Sequence, residues 1–96
     1  NVTASVLSEG WNLADIETGA EEDLRTFIVT VIFDTPFLSV PVVQLGLTGF
    51  DIDQRDSARL TVRADGITEA GFRAIISTWA GTRVYAAEFD WLAIGA

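Results

Sequence analysis

The sequence predicts an all-β fold, either an antiparallel β-sandwich or a barrel, from three observations. Apolar and β-branched residues alternate with polar residues at period two in several runs. Short polar or glycine-containing stretches separate these runs at regular intervals, as the turns of an antiparallel sheet do. No segment shows the period of an amphipathic helix, and only residues 19–24 could form a helical turn.

Residues 25–33 form the clearest predicted strand, because β-branched and aromatic residues dominate this run. Phe27 and Val29 fall on one face at period two, whereas Ile28 and Thr30 fall on the other. We therefore expect one face of this strand to pack against a core and the other to face outward.

Further runs share this strand composition and are bounded by proline, glycine or polar residues. The polar stretch from Asp51 to Ser57 predicts a turn between two of them, and Ala80-Gly81 predicts another. These runs are residues 40–48, 58–64, 72–79 and 82–94.

Length and charge bound the class of protein. The 96 residues are enough for one domain, which we expect to span residues 1–96. Fourteen acidic residues against six arginines give a net charge of −8, so we expect no nucleic-acid partner and no membrane insertion. No apolar run approaches the ~20 residues that span a bilayer. No charged-then-apolar leader opens the chain, so we expect a mature secreted domain or a piece of a longer protein.

The absence of cysteine and histidine limits the chemistry of the chain. Without cysteine there is neither a disulfide nor a thiolate metal site, and without histidine the usual general base is missing. A carboxylate pair for glycoside hydrolysis remains formally open at Glu88 and Asp90 on the last predicted strand. We therefore expect a protein that is not an enzyme and that needs no cofactor or metal.

Asp51, Asp53 and Asp56 offer the hard oxygen ligands that calcium prefers. Their spacing matches no EF-hand loop, and no glycine stands where such a loop turns sharply. A polar hairpin turn is the favoured interpretation, and the sequence leaves open whether a calcium ion binds there.

The chain carries a series of motifs whose order and spacing are more specific than any single one. Four motifs lie in the second half of the chain: Ala58-Arg59-Leu60-Thr61-Val62, Ile67-Thr68-x-x-Gly71-Phe72, Thr78-Trp79-x-x-Thr82-x-Val84-Tyr85 and Trp91-Leu92-Ala93-Ile94. Ile32-Phe33-x-x-Pro36 and then Pro41-Val42-Val43 extend this series upstream, and Trp11 fits an early tryptophan. In this order they resemble the H-type lectin domain, the family of the snail agglutinins and of the C-terminal domain of the slime-mould discoidins.

The resemblance implies a six-stranded antiparallel β-sandwich that assembles as a trimer. In this family the sugar lies at the seam between two protomers, and it is of the galactose or N-acetylgalactosamine type. One protomer offers a loop glycine, a loop aspartate and a strand arginine. Its neighbour offers a tryptophan, a histidine and a tyrosine.

Arg59, Trp79 and Tyr85 match three of these site positions. The donor fork of Arg59 suits sugar hydroxyls or an acyl carbonyl, although an arginine here could equally be the solvated partner of a nearby acid. The indole of Trp79 could stack on a sugar or pack in a core or subunit contact. Tyr85 could bond a sugar with its hydroxyl or lie half-buried at an interface.

The other three site positions depart from the family pattern. Ala20 stands where the family has the loop glycine, Glu22 replaces the aspartate, and Ala80 replaces the histidine. Glu22 belongs to the acidic run Glu21-Glu22-Asp23, which could equally be a solvated turn. Its extra methylene would place the carboxylate about 1.5 Å further out.

The sequence, with this resemblance, predicts a carbohydrate-binding module for galactose-type or N-acetylgalactosamine-type glycans. The expected partners are galacto-configured glycans and further copies of the chain in a homotrimer, and two trimers could pair. We expect a role in cell adhesion and a location that is secreted or on the surface of a cell, phage or appendage. The alternative is a structural trimerisation or capping domain of a phage or bacterial appendage with a degenerate sugar site. Trp11 and Trp91 are assigned to packing.

Overall fold

The structure, a computed structural model, describes residues 2–14 and 24–95. Within these ranges the chain forms six strands and no helix. The strands are β1 (Val2–Ser5), β2 (Arg25–Ile32), β3 (Val42–Ile52), β4 (Thr61–Asp65), β5 (Gly71–Thr78) and β6 (Val84–Ile94).

The strands form two three-stranded sheets in which every pairing is antiparallel. The strand order is β1-β6-β3 in one sheet and β2-β5-β4 in the other. The prediction of an all-β fold, a six-stranded antiparallel β-sandwich, is therefore confirmed.

β3 and β4 differ from the sequence pattern in extent, and β1 is absent from that pattern. β4 begins at Thr61 and not at residue 58, so Arg59 lies before the strand. β3 begins after Pro41 and continues through Asp51, which the pattern assigns to a turn. Asp51 pairs with Ala86 of β6 and is exposed, so an acidic side chain is tolerated there on the outer face of the sheet. The short β1 carries one buried apolar residue, Ala4, and depends on its pairing with β6. Neither β1 nor the end of β3 shows alternation at period two in its sequence, because pairing with β6 is what makes each segment a strand.

β2 shows how the alternating pattern becomes a buried face. Phe27 pairs with Ile76 of β5, and Val29 pairs with Ala74, so these four side chains line the interior between the sheets. Ile28, between them in sequence, lies on the outer face and is 50% exposed. The predicted alternation of this strand is therefore present in the structure.

Both tryptophans that the sequence assigns to packing lie against the core. The Trp91 ring centroid is 5.5 Å from those of Phe33 and Phe72. The Trp11 ring lies 5.0 Å from Phe27, and its indole N–H donates a 2.9 Å hydrogen bond to the carbonyl of Val84. The packing roles are confirmed, and Trp11 also fastens the β1–β2 connection to the start of β6.

Three connections meet at one end of the sandwich. Strands β1, β3 and β5 end there, and β2, β4 and β6 begin there, because Arg25 pairs with Thr78 and Ile52 pairs with Val84. We call the described connecting residues, 6–14, 53–60 and 79–83, the loop end. The antiparallel order brings these segments together although they are far apart in sequence.

Candidate functional site

Arg59 lies at the loop end, two residues before β4 begins. Its Nη1 donates a 3.0 Å hydrogen bond to the Thr82 hydroxyl and lies 3.5 Å from the Asp56 carboxylate. Its side chain is 27% exposed. The guanidinium is therefore held in place by both neighbouring connections while part of it still reaches solvent.

Thr82 joins the two connections through one buried hydroxyl. Its Oγ1 accepts the bond from Arg59 and donates a 2.5 Å bond to the carbonyl of Ser57. The Thr78 hydroxyl, also buried, donates to the backbone carbonyl of Arg59. The donor and acceptor roles of the Thr82 hydroxyl are both used, which fixes the β3–β4 connection against the β5–β6 turn.

Gly81 allows the Asp56 carboxylate to lie directly against this turn. A Cβ atom at Gly81 would stand 2.1 Å from Asp56 Oδ2, closer than two such atoms can approach. The same carboxylate accepts a 2.7 Å bond from the Ser57 N–H. A glycine is needed here for space, and the carboxylate that it admits is the one that faces Arg59.

Trp79 and Ala80 begin the β5–β6 turn, where Trp79 is exposed and Ala80 is half-buried. Trp79 follows the last residue of β5 and is 36% exposed. Ala80 has a φ angle of 56°, the left-handed region that costs an L-residue roughly 1–2 kcal/mol. Its side chain is a methyl group, so this position offers no polar atom to a ligand.

Arg25 holds this turn from the inside. Its Nη2 donates to the carbonyls of Ala80 at 3.0 Å and Thr82 at 2.5 Å, and its Nη1 donates to the carbonyl of Leu13 at 3.0 Å. Burial, and to a lesser extent the charge of Arg83, lowers the pKa of this guanidinium. Arg25 is not among the predicted site residues, although its period-two phase places it on the same face as Phe27, where a cation needs partners.

Tyr85 lies in a second polar cluster at the loop end. Its hydroxyl donates a 3.1 Å hydrogen bond to Asp53 Oδ2. Arg55 donates to both oxygens of the same carboxylate, from Nε at 3.0 Å and from Nη2 at 2.5 Å. These bonds from Arg55, supported by Tyr85, hold the pKa of Asp53 well below its usual range. Asp53 and Arg55 are further residues that the resemblance does not mark as site positions.

The structure brings part of the predicted site together. Arg59 reaches the turn that carries Trp79 and Ala80 through Thr82, while Tyr85 bonds with Asp53 at the same end of the sandwich. Ala20 and Glu22 lie outside the described residues, as does the acidic run around Glu22.

The three aspartates considered for calcium do not converge in the described structure. Asp53 is bonded to Arg55, Asp56 lies beside Arg59, and Asp51 is on the exposed face of β3. In residues 2–14 and 24–95, no three acidic side chains are grouped closely enough to hold a metal ion. No helix in that part of the chain is long and apolar enough to cross a membrane.

An antiparallel β-sandwich that gathers an arginine, an exposed tryptophan and a tyrosine at one end has the features of a lectin-type binding module. The family model of the H-type lectin domain matches residues 28–94. The chain therefore belongs to the H-type lectin domain family, which confirms the resemblance in its motifs. This is a family of binding domains, in agreement with the prediction that the chain is not an enzyme.

Known proteins similar to this chain include discoidins of Dictyostelium discoideum. Discoidin-2 is 34% identical over 73% of this chain and 28% of its own length. The solved structure of recombinant discoidin II, 27% identical, superposes with a TM-score of 0.79 over 98% of this chain. The Fuscovulum blasticum protein "ATP synthase subunits region ORF 7" is 38% identical over 74% of this chain. The chain spans 62% of that relative and 35% of the discoidin II structure.

Proposed function

We propose that this chain binds galactose-type or N-acetylgalactosamine-type glycans in shallow sites between the protomers of a homotrimer. The observation that carries the proposal is that the Arg59 guanidinium is held in a fixed position and Trp79 is exposed at the same end of the sandwich, so each can serve one of two half-sites. The family membership and the similarity to discoidins support a carbohydrate ligand.

The chemistry of the two side chains suits a sugar. A guanidinium has five N–H donors, and Nη1 of Arg59 carries the bond to Thr82, so the outer edge of the fork remains available for hydroxyl oxygens. The exposed indole of Trp79 offers an apolar face for the C–H face of a sugar ring. One directional donor and one flat apolar surface give orientation and contact area, respectively.

A site between protomers agrees with the division of the residues into two half-sites. Ala20, Glu22 and Arg59 belong to one half-site, and Trp79, Ala80 and Tyr85 belong to the other. In this arrangement each protomer contributes its two half-sites to two different seams. The weak affinity of each shallow site would then be multiplied when the trimer binds several glycans at once.

The outer face of the β2-β5-β4 sheet is the surface that we propose for self-association. Ile28 and Ile32 on this face are 50% and 75% exposed. A small domain is stabilised when such apolar side chains are buried in a contact between copies. Arg63 and Arg73 on the same face outnumber Asp65, so copies of an otherwise acidic chain can approach there.

The outer face of the β1-β6-β3 sheet is a poorer candidate for this contact. It carries three acidic residues, Asp51, Glu88 and Asp90, on neighbouring strands. In a chain with a net charge of −8, two such faces would repel each other.

A second candidate function is a structural trimerisation or capping domain whose sugar site has degenerated. Ala80 offers only a methyl group at the family's histidine position, and the Tyr85 hydroxyl already donates to Asp53. Both features reduce the polar contacts left for a sugar. This candidate shares the trimer with the first and differs only in its ligand.

A glycan array probed with the trimer, followed by titration calorimetry with galactose and N-acetylgalactosamine, separates the two candidates. Binding to galacto-configured glycans supports the lectin. No binding to any glycan by a trimer that light scattering shows to be assembled would leave the structural role. A single 10.4 kDa species at micromolar concentration would remove the basis for sites between protomers.

A further inference from the structure

The side chain of Arg25 bonds the backbone of two separate connections. Its Nη1 bonds the carbonyl of Leu13 in the β1–β2 connection, and its Nη2 bonds two carbonyls in the β5–β6 turn. Among the described residues of the loop end, other arginine side chains bond hydroxyl or carboxylate groups. A backbone contact fixes the path of the chain itself, so Arg25 determines where the turn lies.

The two carbonyls of the turn flank Gly81. Nη2 of Arg25 bonds Ala80 on one side and Thr82 on the other, which closes a small ring around the glycine. Ala80 is held in the left-handed region at φ 56°, a conformation that persists only where its surroundings over-determine it. Because Trp79 immediately precedes this pinned segment, the position of its indole depends on the same bonds.

The bond from Arg25 to the Leu13 carbonyl connects the β5–β6 turn to the β1–β2 connection. The Leu13 side chain is fully buried, and its carbonyl also accepts a 2.8 Å bond from the Val84 N–H. The guanidinium is therefore anchored to a rigid part of the backbone, from which it reaches across to the turn. Arg25 joins the β1–β2 connection to the Trp79 turn through one planar group, and the backbone of Leu13 joins the same connection to the start of β6.

We infer that Arg25 is a positioning residue that sets the placement of Trp79 and thereby the sugar affinity of the site. This inference rests on the proposed function. The role requires a planar fork with two well-separated nitrogens, so a positive charge alone does not suffice. Arg25→Lys keeps the charge and loses the fork, whereas Arg25→Gln loses both.

The test combines binding and spectroscopy on the intact protein. Titration calorimetry with N-acetylgalactosamine should show affinity about tenfold weaker in Arg25→Lys, because a displaced indole loses its contact with the sugar. Fluorine spectra of protein labelled with 5-fluorotryptophan report the indoles separately, and Trp79→Phe assigns one resonance. We expect Arg25→Lys to shift or broaden the Trp79 resonance and to leave the Trp91 resonance unchanged.

Thr48→Val is the control. The Thr48 hydroxyl bonds one partner, the Glu88 carboxylate at 2.9 Å, and it is exposed on β3, outside the loop end and outside the face proposed for self-association. The control should keep both the Trp79 resonance and the affinity. If folded Arg25→Lys retains wild-type affinity and an unchanged Trp79 resonance, the inference is wrong.

Failure of the inference and failure of the proposed function give different results. If the unaltered protein binds no sugar, the proposed function fails, and the fluorine spectra still decide whether Arg25 places Trp79. If neither Arg25 variant folds, ¹⁵N spectra of arginine side chains in the unaltered protein decide. The inference is supported if the Nη protons of Arg25 give separate signals that are protected from exchange, whereas those of the exposed Arg55 give one averaged signal. One averaged signal for the Nη protons of Arg25 as well would overturn it.

Discussion

The two ends of the sandwich are held together by different kinds of contact. At the loop end, Arg25 and Arg59 bond carbonyl and hydroxyl oxygens of the neighbouring connections. At the opposite end, Phe33 packs edge-on against Phe37 with centroids 5.1 Å apart and also contacts Trp91. Hydrogen bonds are directional, whereas apolar packing mainly excludes water. The end that we propose for binding is therefore the end where arginine side chains join the connections through directional bonds.

Backbone bonds at the opposite end complete the contrast. The Phe33 N–H donates to the Ala70 carbonyl and the Phe37 N–H donates to the Glu69 carbonyl, both at 2.9 Å. The two connections at this end therefore bond each other through their backbone groups. We expect substitutions at this end to change stability and substitutions at the loop end to change binding.

The largest expected effect is on stability, from Phe33→Ala at the end opposite the loops. Phe33 is buried among Phe37, Phe72 and Trp91, so truncation should leave a cavity and lower the free energy of unfolding by about 3–5 kcal/mol. Urea unfolding measures this loss. The fraction that remains folded should bind sugar with unchanged affinity, and a large loss of affinity in that fraction would contradict the separation of the two ends.

Arg59→Ala should weaken sugar binding by roughly ten- to a hundredfold, the loss of a charged hydrogen-bond donor worth ~1.5–3 kcal/mol. The Thr82 hydroxyl keeps its bond to the Ser57 carbonyl, so the trimer should remain folded. Titration calorimetry gives the affinity, and light scattering gives the assembly. Thr48→Val on the other sheet serves as the control, and equal affinity in the two variants would remove Arg59 from the site.

Gly81→Ala should cost about 1 kcal/mol of stability, because the new Cβ must displace the Asp56 carboxylate from the turn. Gly46→Ala on β3 is a matched control, since a Cβ there meets no atom within 4 Å. Thermal unfolding of both variants provides the comparison. If both have the same melting temperature, the contact between Asp56 and Gly81 does not constrain the turn.

The preference between sugars should be small. Ala80 supplies no polar contact at the position where the family has histidine, and one neutral hydrogen bond is worth roughly 0.5–1.5 kcal/mol. We therefore expect galactose to bind within about tenfold of N-acetylgalactosamine, which competition against one immobilised glycan measures. A preference above about a hundredfold would show that another residue recognises the N-acetyl group.

The smallest effect concerns pH. Because the folded-state pKa of Asp53 is depressed by Arg55, its stabilising contribution is present above the ordinary pKa of an aspartate, about 3.9. That contribution is lost as the pH falls through the lower folded-state value. The stability difference between wild type and Asp53→Asn should be constant from pH 7 to about pH 5 and should shrink in stronger acid. A difference that grows below pH 4 would contradict this assignment.

The family and the strands other than β1 could be predicted from the sequence, because short segments carry the motifs and the alternation that indicate them. Phe27, Ile28 and Val29 alternate across a pleated strand whatever their partners, so the core face of β2 is evident without a structure. The motif around Arg59 and that around Trp79 each lie within one short segment. Their order along the chain was enough to indicate the family and a candidate site.

The contacts that shape the site could not be predicted, because they join residues far apart in sequence. Arg25 and Thr82 are 57 residues apart, and Tyr85 and Asp53 are 32 residues apart. Which of these groups meet depends on strand order, which brings the starts of β2 and β6 to the same end of the sandwich. The sequence by itself determined the alternating strands, the family and the types of side chain available for binding. Only the tertiary structure decided which carbonyls and carboxylates those side chains bond, because a hydrogen bond forms only where the fold brings donor and acceptor within about 3 Å in the right direction.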